Sequence, residues 1–392
     1  MLNFAHSRML TCAAVVLAGT ACTVAENPST VTPQGPPPTV EGWRAVDVFT
    51  GLNRPWSIDW LPDGRALITE KDGRLSIGDM QSGRLQPVSG VPTVFSGVQG
   101  GLMEVSVSPN FAEDRRIFLT LSEGNNRSNR TVLVRATLDG TQLRDVSTIF
   151  RVSQFKEGSQ HFGSRILWLP DGTMLLAIGD GGNPPVRLDG RLIRENAQDL
   201  NNHLGKVLRL TKDGTAPADN PFAGRAGALP EIWSYGHRNI QGMARDPETG
   251  RIFVNEHGAR GGDEVNVLER GGNFGWPLAT FSTEYWGPPI SPNTTLPGMI
   301  DPIAVWTPAT GPSGLAFYTG DRYPEWRGSL FSGGLASRDI RRLVLDADGK
   351  VVRQERMQVG QRVRDVRQGP DGYLYVLTDE TNGRVFRIEL SR

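Results

Sequence analysis

Cysteine is nearly absent: Cys12 and Cys22 are the only two in 392 residues, and both lie near the start. The body of the chain therefore excludes a disulfide framework, a thiolate metal site and a cysteine nucleophile. Neither sign of charge is in excess. The 42 Lys and Arg balance 42 Asp and Glu, which argues against a nucleic-acid partner. No apolar run is long enough to cross a bilayer as a helix, and no stretch sustains a helical period over three turns. Glycine and proline are plentiful instead, 47 and 27. Without a collagen period, that points to many tight turns in a β-rich protein.

Residues 1–25 carry the pattern of an export signal. Arg8 supplies a positive start, and residues 9–19 form a short apolar run ending in small side chains. Two processing sites compete. Thr23-Val24-Ala25 fits cleavage before Glu26, whereas the run from Leu17 to Cys22 is a loose lipobox whose leucine lies far upstream. The second would lipidate Cys22 and make that anchor the sole membrane contact. Either predicts an exported, periplasmic protein. Residues 26–42, rich in Pro, Ser and Thr, are expected to form a disordered linker.

From Trp43 onward one phrase returns six times. Pro62-Asp63-Gly64, Ser108-Pro109-Asn110, Pro170-Asp171-Gly172, Asp246-Pro247 with Gly250, Tyr323-Pro324 and Pro370-Asp371-Gly372 each precede a short apolar strand. A Pro/Asp/Gly turn that launches a strand is hairpin chemistry. Its return roughly every 45–80 residues marks repeated small sheets with variable loops. Residues 43–392 are therefore expected to form an all-β, six-bladed β-propeller with four-stranded antiparallel blades. Two β-sandwiches fit less well, because the phrase runs through the chain without a central linker.

Loops from several blades meet at a propeller's axis, so ligand-binding candidates should sit at strand ends in different repeats. Gln99, in Val98-Gln99-Gly100-Gly101-Leu102, offers an amide beside glycines that let a backbone approach a flat ligand. Its plain alternative is a turn. His161, in Gln160-His161-Phe162-Gly163, could serve as a base near neutrality. A lone histidine beside an apolar strand is commonly structural, and no HExxH spacing accompanies it. Residues 231–277 hold Arg238-Asn239, suited to clamp a planar anion. They also hold Gly258-Ala259, Asp263 and Glu264, whose oxygens suit calcium; a salt-bridged loop capped by glycines is the plain alternative. Arg362 and Arg364 share one face of a strand of period two. They need an anion or a carboxylate between them, unless the strand is a solvated edge.

In order, the chain carries QGGL, HFGSR, YGHRNIQG, EHGARGGDEVN, GGNFGWP and RVRDV. In these motifs, and over nearly all of residues 51–379, it resembles the soluble pyrroloquinoline-quinone (PQQ)-dependent sugar dehydrogenases, close to the aldose sugar dehydrogenase branch. The resemblance implies a quinone at the propeller axis, calcium ions, and oxidation of an aldose sugar at C1 to a lactone, with electrons passed to an unidentified acceptor. It puts His161 in the place of the base that removes the C1 hydroxyl proton as hydride passes to the quinone, whose carbon calcium makes more electrophilic. Arg238 takes the position that stabilises charge on the reacting carbonyl. Gln99, Asn239, Arg362 and Arg364 match cofactor-contacting positions, and His257 falls where the glucose enzymes have a glutamine. Gly258 and Ala259 match the carbonyls of the active-site calcium. Glu264 and the backbone of Phe274 match part of a structural calcium site, and Trp306 is a loose match to a residue at the mouth.

The chain departs from that pattern at three positions. Ala336 stands where the glucose enzymes place a cofactor-contacting lysine, Gln160 where they place an aspartate that orients the base, and Ala259 where they have proline. A carbonyl ligand survives the last change. Two other functions remain open: a calcium-dependent hydrolase of lactonase type, which would want several acidic or amide side chains at the axis, and a non-catalytic sugar-binding propeller.

Overall fold

The computed structural model describes Met1 and residues 31–391; the export signal, both processing sites and Cys22 lie outside the described residues. Six four-stranded antiparallel sheets build the body, the six-bladed propeller expected from the turn phrase. Blade 1 comprises Pro55–Trp60, Ala66–Glu70, Arg74–Gly78 and Leu85–Pro87; blade 2 comprises Leu102–Val107, Arg116–Asn125, Ser128–Asp139 and Gln142–Arg151. Blade 3 comprises Ile166–Trp168, Met174–Ile178, Lys206–Leu210 and Ile232–Tyr235; blade 4 comprises Ile240–Arg245, Ile252–Glu256, Asp263–Val267 and Ala304–Trp306. Blade 5 comprises Pro312–Phe317, Leu330–Gly334, Asp339–Leu345 and Val351–Gln358. Blade 6 takes Val363–Gln368, Leu374–Thr378 and Gly383–Leu390 from the C-terminal end and its fourth strand, Trp43–Leu52, from the other end of the chain. That last pairing runs from Trp43 opposite Leu390 to Leu52 opposite Gly383, and it closes the ring.

The second strand of most blades is buried along its whole length, as in Ala66–Glu70, Met174–Ile178 and Leu374–Thr378. A sheet covered on both faces favours such continuous apolar runs over alternation. First strands lie innermost and pack on their neighbours around the axis, Pro55–Trp60 for example against Leu102–Val107 and Val363–Gln368.

All six turn phrases fall in the connection from first to second strand. Asp63, Asp171, Asp246 and Asp371 each accept the N–H two residues on, at 2.9–3.2 Å, the Asx turn that fixes a tight reversal. With those turns at one end of the blades, the other end holds the residues that enter first strands and leave second strands. There the register slips in five blades, between Pro55 and Ser57, Leu102 and Val105, Ile240 and Gly242, Pro312 and Leu315, and Val363 and Asp365. Such bulges re-aim side chains at the rim of a sheet.

The expected disordered linker needs correction over its second half. Gln34 N–H donates to Val305 O at 2.8 Å and Gln34 O accepts from Thr307 N at 3.1 Å; Val40 N and Arg356 O pair at 2.8 Å. These contacts lay the segment along the outer strands of blades 4 and 5. Proline costs nothing there, because an edge strand tolerates a missing N–H.

Candidate active site

Residues that precede first strands and, in five blades, residues that follow second strands converge on the site face. Arg54, Gln99, His161, Arg238, Gly311 and Arg362 stand just before first strands, whereas Lys71, Asp180, His257, Ala336 and Asp379 stand just after second strands. A cavity of about 460 Å³ gathers Gln99, His257, Arg362 and Arg364 with Arg54, Trp56, Gln241, Ala336 and Asp379. A smaller one of about 10 Å³ is lined by Arg238, Gly258, Glu264 and Phe274, with His257 on the wall of both. His161, Asn239 and Ala259 line neither, but each is tied to the site. His161 N–H donates to Gln99 Oε1 at 2.7 Å, Asn239 Oδ1 accepts from Gly163 N at 3.1 Å, and Ala259 N–H donates to Ser282 Oγ at 3.1 Å.

His161 is held in the left-handed region, φ 51°, a conformation kept in a non-glycine residue only where its surroundings enforce it. Gly179 permits the packing, since a Cβ there would lie 2.2 Å from His161 O. His161 Nδ1 lies 2.6 Å from Asp180 Oδ1, and both side chains are buried. Asp180 also accepts from Gly182 N at 3.1 Å and Trp276 Nε1 at 2.8 Å. With Nδ1–H given to the carboxylate, Nε2 carries the lone pair, and no protein group among the described residues occupies it. Burial, and then the Arg238 guanidinium, push the imidazole below its ordinary pKa, so it is unprotonated at neutral pH. The acid that holds His161 is therefore Asp180 and not its neighbour in sequence: Gln160 Oε1 instead accepts from Asn183 Nδ2 at 3.1 Å.

Arg238 Nη1 donates to His257 O at 3.1 Å and Nη2 to Asn183 Oδ1 at 2.8 Å, while its plane lies 5.4 Å from the Trp276 ring. Arg238 Nε and Asn239 Nδ2 are buried without partners. Unmet buried donors are costly, and an anionic or carbonyl-rich ligand would satisfy them. His257 Nε2 donates to Pro312 O at 2.7 Å. Burial, with Arg238 next, lowers its pKa to about 3, so its Nδ1 is a neutral acceptor. Arg362 and Arg364 do share a carboxylate. Their Nη2 atoms lie 3.4 and 3.0 Å from Asp379 Oδ2. Burial alone would raise that acid, but Arg364 and Arg362 outweigh it and hold it at about 2. The solvated-edge reading fails, because Arg364 is buried.

Glu256 and Glu264 are cross-strand neighbours, and Asn266 Nδ2 reaches both at 3.4 Å. Burial, and then Glu256, raise Glu264 well above the ordinary carboxylate range. Glu256 already has partners in His237 Nδ1 at 2.9 Å and the Arg238 N–H at 2.6 Å, so it is Glu264, at a cavity the size of one ion, that needs a proton or a cation. Gly258 has no room for a side chain, since a Cβ would lie 2.2 Å from Gly261 O. Asp263 fixes its backbone, accepting from Gly258 N at 2.8 Å and from Gly311 N at 2.8 Å. Among the described residues no three His, Cys, Asp or Glu side chains form a metal cage. A cation here would be held largely by backbone carbonyls, which suits calcium rather than zinc.

Trp306 does not reach the mouth. It is fully buried, its Nε1 donating to Gln354 Oε1 at 2.8 Å. The sequence reading also missed Asp180, Glu256 and Asp379. Each lies at or just beyond the end of a second strand, and the glycines around Asp180 in Gly179-Asp180-Gly181-Gly182 were a usable signal.

Residues 52–387 match the sequence profile of the Glucose / Sorbosone dehydrogenase family. The chain is similar to the aldose sugar dehydrogenase YliI of Escherichia coli, 40% identical over 346 residues that cover 86% of this chain and 90% of that protein. Among solved structures it is similar to the apo-form soluble aldose sugar dehydrogenase of E. coli, with TM-score 0.83 and 38% identity over 89% of this chain and all of the other. It is also similar to the PQQ-bound aldose sugar dehydrogenase of Streptomyces coelicolor, with TM-score 0.72 and 28% identity over 90% of this chain and 99% of the other.

Proposed function

The chain belongs to the glucose/sorbosone dehydrogenase family of oxidoreductases, and from that premise we propose that it is a PQQ- and calcium-dependent dehydrogenase that oxidises aldose sugars at C1 to lactones. The observation that carries this reading is the His161–Asp180 pair, 2.6 Å apart and with a free Nε2, on the same face as a cationic cavity. Unmet donors on Arg238 and Asn239 fit a quinone bearing carboxylates. Gln99, Asn239, His257, Arg362 and Arg364 would hold it. Gly258 and Ala259 would hold calcium by their carbonyls, and Glu264 with Glu256 a second ion. When bound, the quinone supplies the two-electron acceptor and calcium the Lewis acid.

The chain's own residues then do the rest. His161 Nε2 accepts the proton of the C1 hydroxyl, and the charge it gains is balanced through Nδ1 by Asp180. Arg238 keeps a fixed positive charge where negative charge builds up. Its geometry is set beforehand by His257 O and Asn183, so little reorganisation accompanies reaction. Tyr285 OH accepts from Arg238 Nη2 at 3.4 Å, and the Tyr285 side chain is exposed. The pattern around Arg8 supports export before the enzyme works, with electrons passing to an acceptor outside the cytoplasm.

The test is reconstitution with PQQ and Ca²⁺ followed by dye reduction with a panel of aldoses. Turnover that requires both additions and yields lactone is the expected result. Lactone hydrolysis without quinone would replace this reading with a hydrolase.

A further inference from the structure

Two lysines are buried in blade 3 or against it, and they differ in a telling way. Lys206 Nζ donates to the carbonyls of Asn196, Ala197 and Leu204 at 2.9, 3.1 and 2.7 Å, a complete set of acceptors for an ammonium. Lys156 is also buried, at 5% exposure, yet its Nζ has no hydrogen-bond partner. Its backbone is pinned by paired bonds with Asn129, each 2.9 Å. Its stem passes over Gly181, where a Cβ would lie 3.3 Å from Lys156 Cδ. The ammonium rests 4.0 Å from the centre of the Phe162 ring. Gly181 follows Asp180 and Phe162 follows His161, so Lys156 packs behind both members of the proton-accepting pair. A structural role would have given it acceptors; here the compensating partners are an aromatic face and the field of one carboxylate.

We propose that Lys156 is a positioning residue for His161: its cation shares the field of Asp180 with the imidazole and keeps Nε2 free to accept a proton. The inference rests on His161 being the base. Three charged groups and one neutral histidine act on His161, each from a different element. Asp180 follows Met174–Ile178 and favours the imidazolium, whereas Arg238 before Ile240–Arg245 and Lys156 oppose it. His257, after Ile252–Glu256, is neutral and also interacts with His161. Asp180 is the acid that acts on Lys156 itself, whose pKa burial lowers to about 7. The lysine can therefore change its own charge near neutrality and alter the basicity of His161 as it does so.

The experiment follows the His161 ring resonances by NMR as a function of pH in the full chain without added cofactor, comparing wild type with Lys156→Met and Lys156→Arg. The Met variant removes the cation at similar volume, and the Arg variant keeps a charge that does not titrate. Lys156→Met should raise the His161 midpoint by about one pH unit, a roughly tenfold change in its protonation ratio, while Lys156→Arg should not raise it. The same displacement should appear in the acid limb of kcat/KM for the reconstituted variant. Unchanged midpoints in Lys156→Met overturn the proposal, and Lys156→Gln gives the same comparison if the Met variant does not fold. A shifted midpoint in a protein that never oxidises an aldose would instead sink the functional reading and leave the electrostatic coupling standing.

Discussion

Asp180 does for His161 what no neighbour in sequence does, so its removal isolates the cost of orientation. Asp180→Asn should fold and bind quinone but lose about 10²–10⁴ in turnover, the range of a positioned general base, read from dye reduction at saturating sugar. The pH dependence follows from His161 itself. Its pKa lies below the ordinary histidine value because of burial and Arg238, and the form proposed to accept the proton is the neutral one. Activity should therefore hold as pH falls through 6.5 and be lost only at lower pH. An acid limb above pH 7 in kcat/KM would contradict that assignment. Much of the candidate site was legible from motifs: HFGSR pointed to His161, YGHRNIQG to Arg238, and RVRDV to the arginine pair. Asp180, Glu256 and Asp379 were not, because each meets its partner only through pairing within or between blades. Asp379 lies 15 residues from Arg364 along the chain, with nothing local to mark the contact.

At the scale of elements, the recurrence of Pro/Asp/Gly before apolar runs located every first-to-second connection, since an Asx turn is a local event. The complementary ends were harder to read. Their bulges and strained residues, such as His161 and Arg54 at φ 51°, are imposed by neighbouring strands and leave little trace in composition. The Pro-rich segment misled for a related reason: its order comes from hydrogen bonds to Val305, Thr307 and Arg356, which no local pattern encodes. Blade 3 offers a test of an element held by one side chain. Lys206 ties Asn196 and Ala197 of the short helix Ile193–Gln198 to the approach of its own strand. Lys206→Met orphans three buried carbonyls and should cost about 3 kcal/mol, at about 1 kcal/mol per bond, measured by urea unfolding. A loss under about 0.5 kcal/mol would show that water replaces the ammonium.

The whole molecule is a ring closed at two places. Around its rim, Trp43–Leu52 completes the last blade. Removing residues 1–52 should abolish a cooperative transition in thermal unfolding by exposing a bare sheet edge. Along its axis, Arg165 of blade 3 joins Glu104 of blade 2 at 2.6 Å and Asp365 of blade 6 at 3.1 Å. Its guanidinium also lies 4.8 Å from the Trp56 ring of blade 1, one wall of the cavity. Breaking a buried pair of this kind costs about 3–5 kcal/mol, so Glu104→Gln should lower stability and loosen quinone binding together. The central claim is that this ring holds a quinone where His161 can take a proton from an aldose. Single-turnover absorbance after mixing glucose with protein reconstituted with PQQ and Ca²⁺ tests it most directly, with wild type beside His161→Gln. Quinone reduction in wild type, slowed at least about 100-fold in the variant at equal quinone affinity, is the predicted result; equal rates in the two proteins, or no reduction in either, would contradict it.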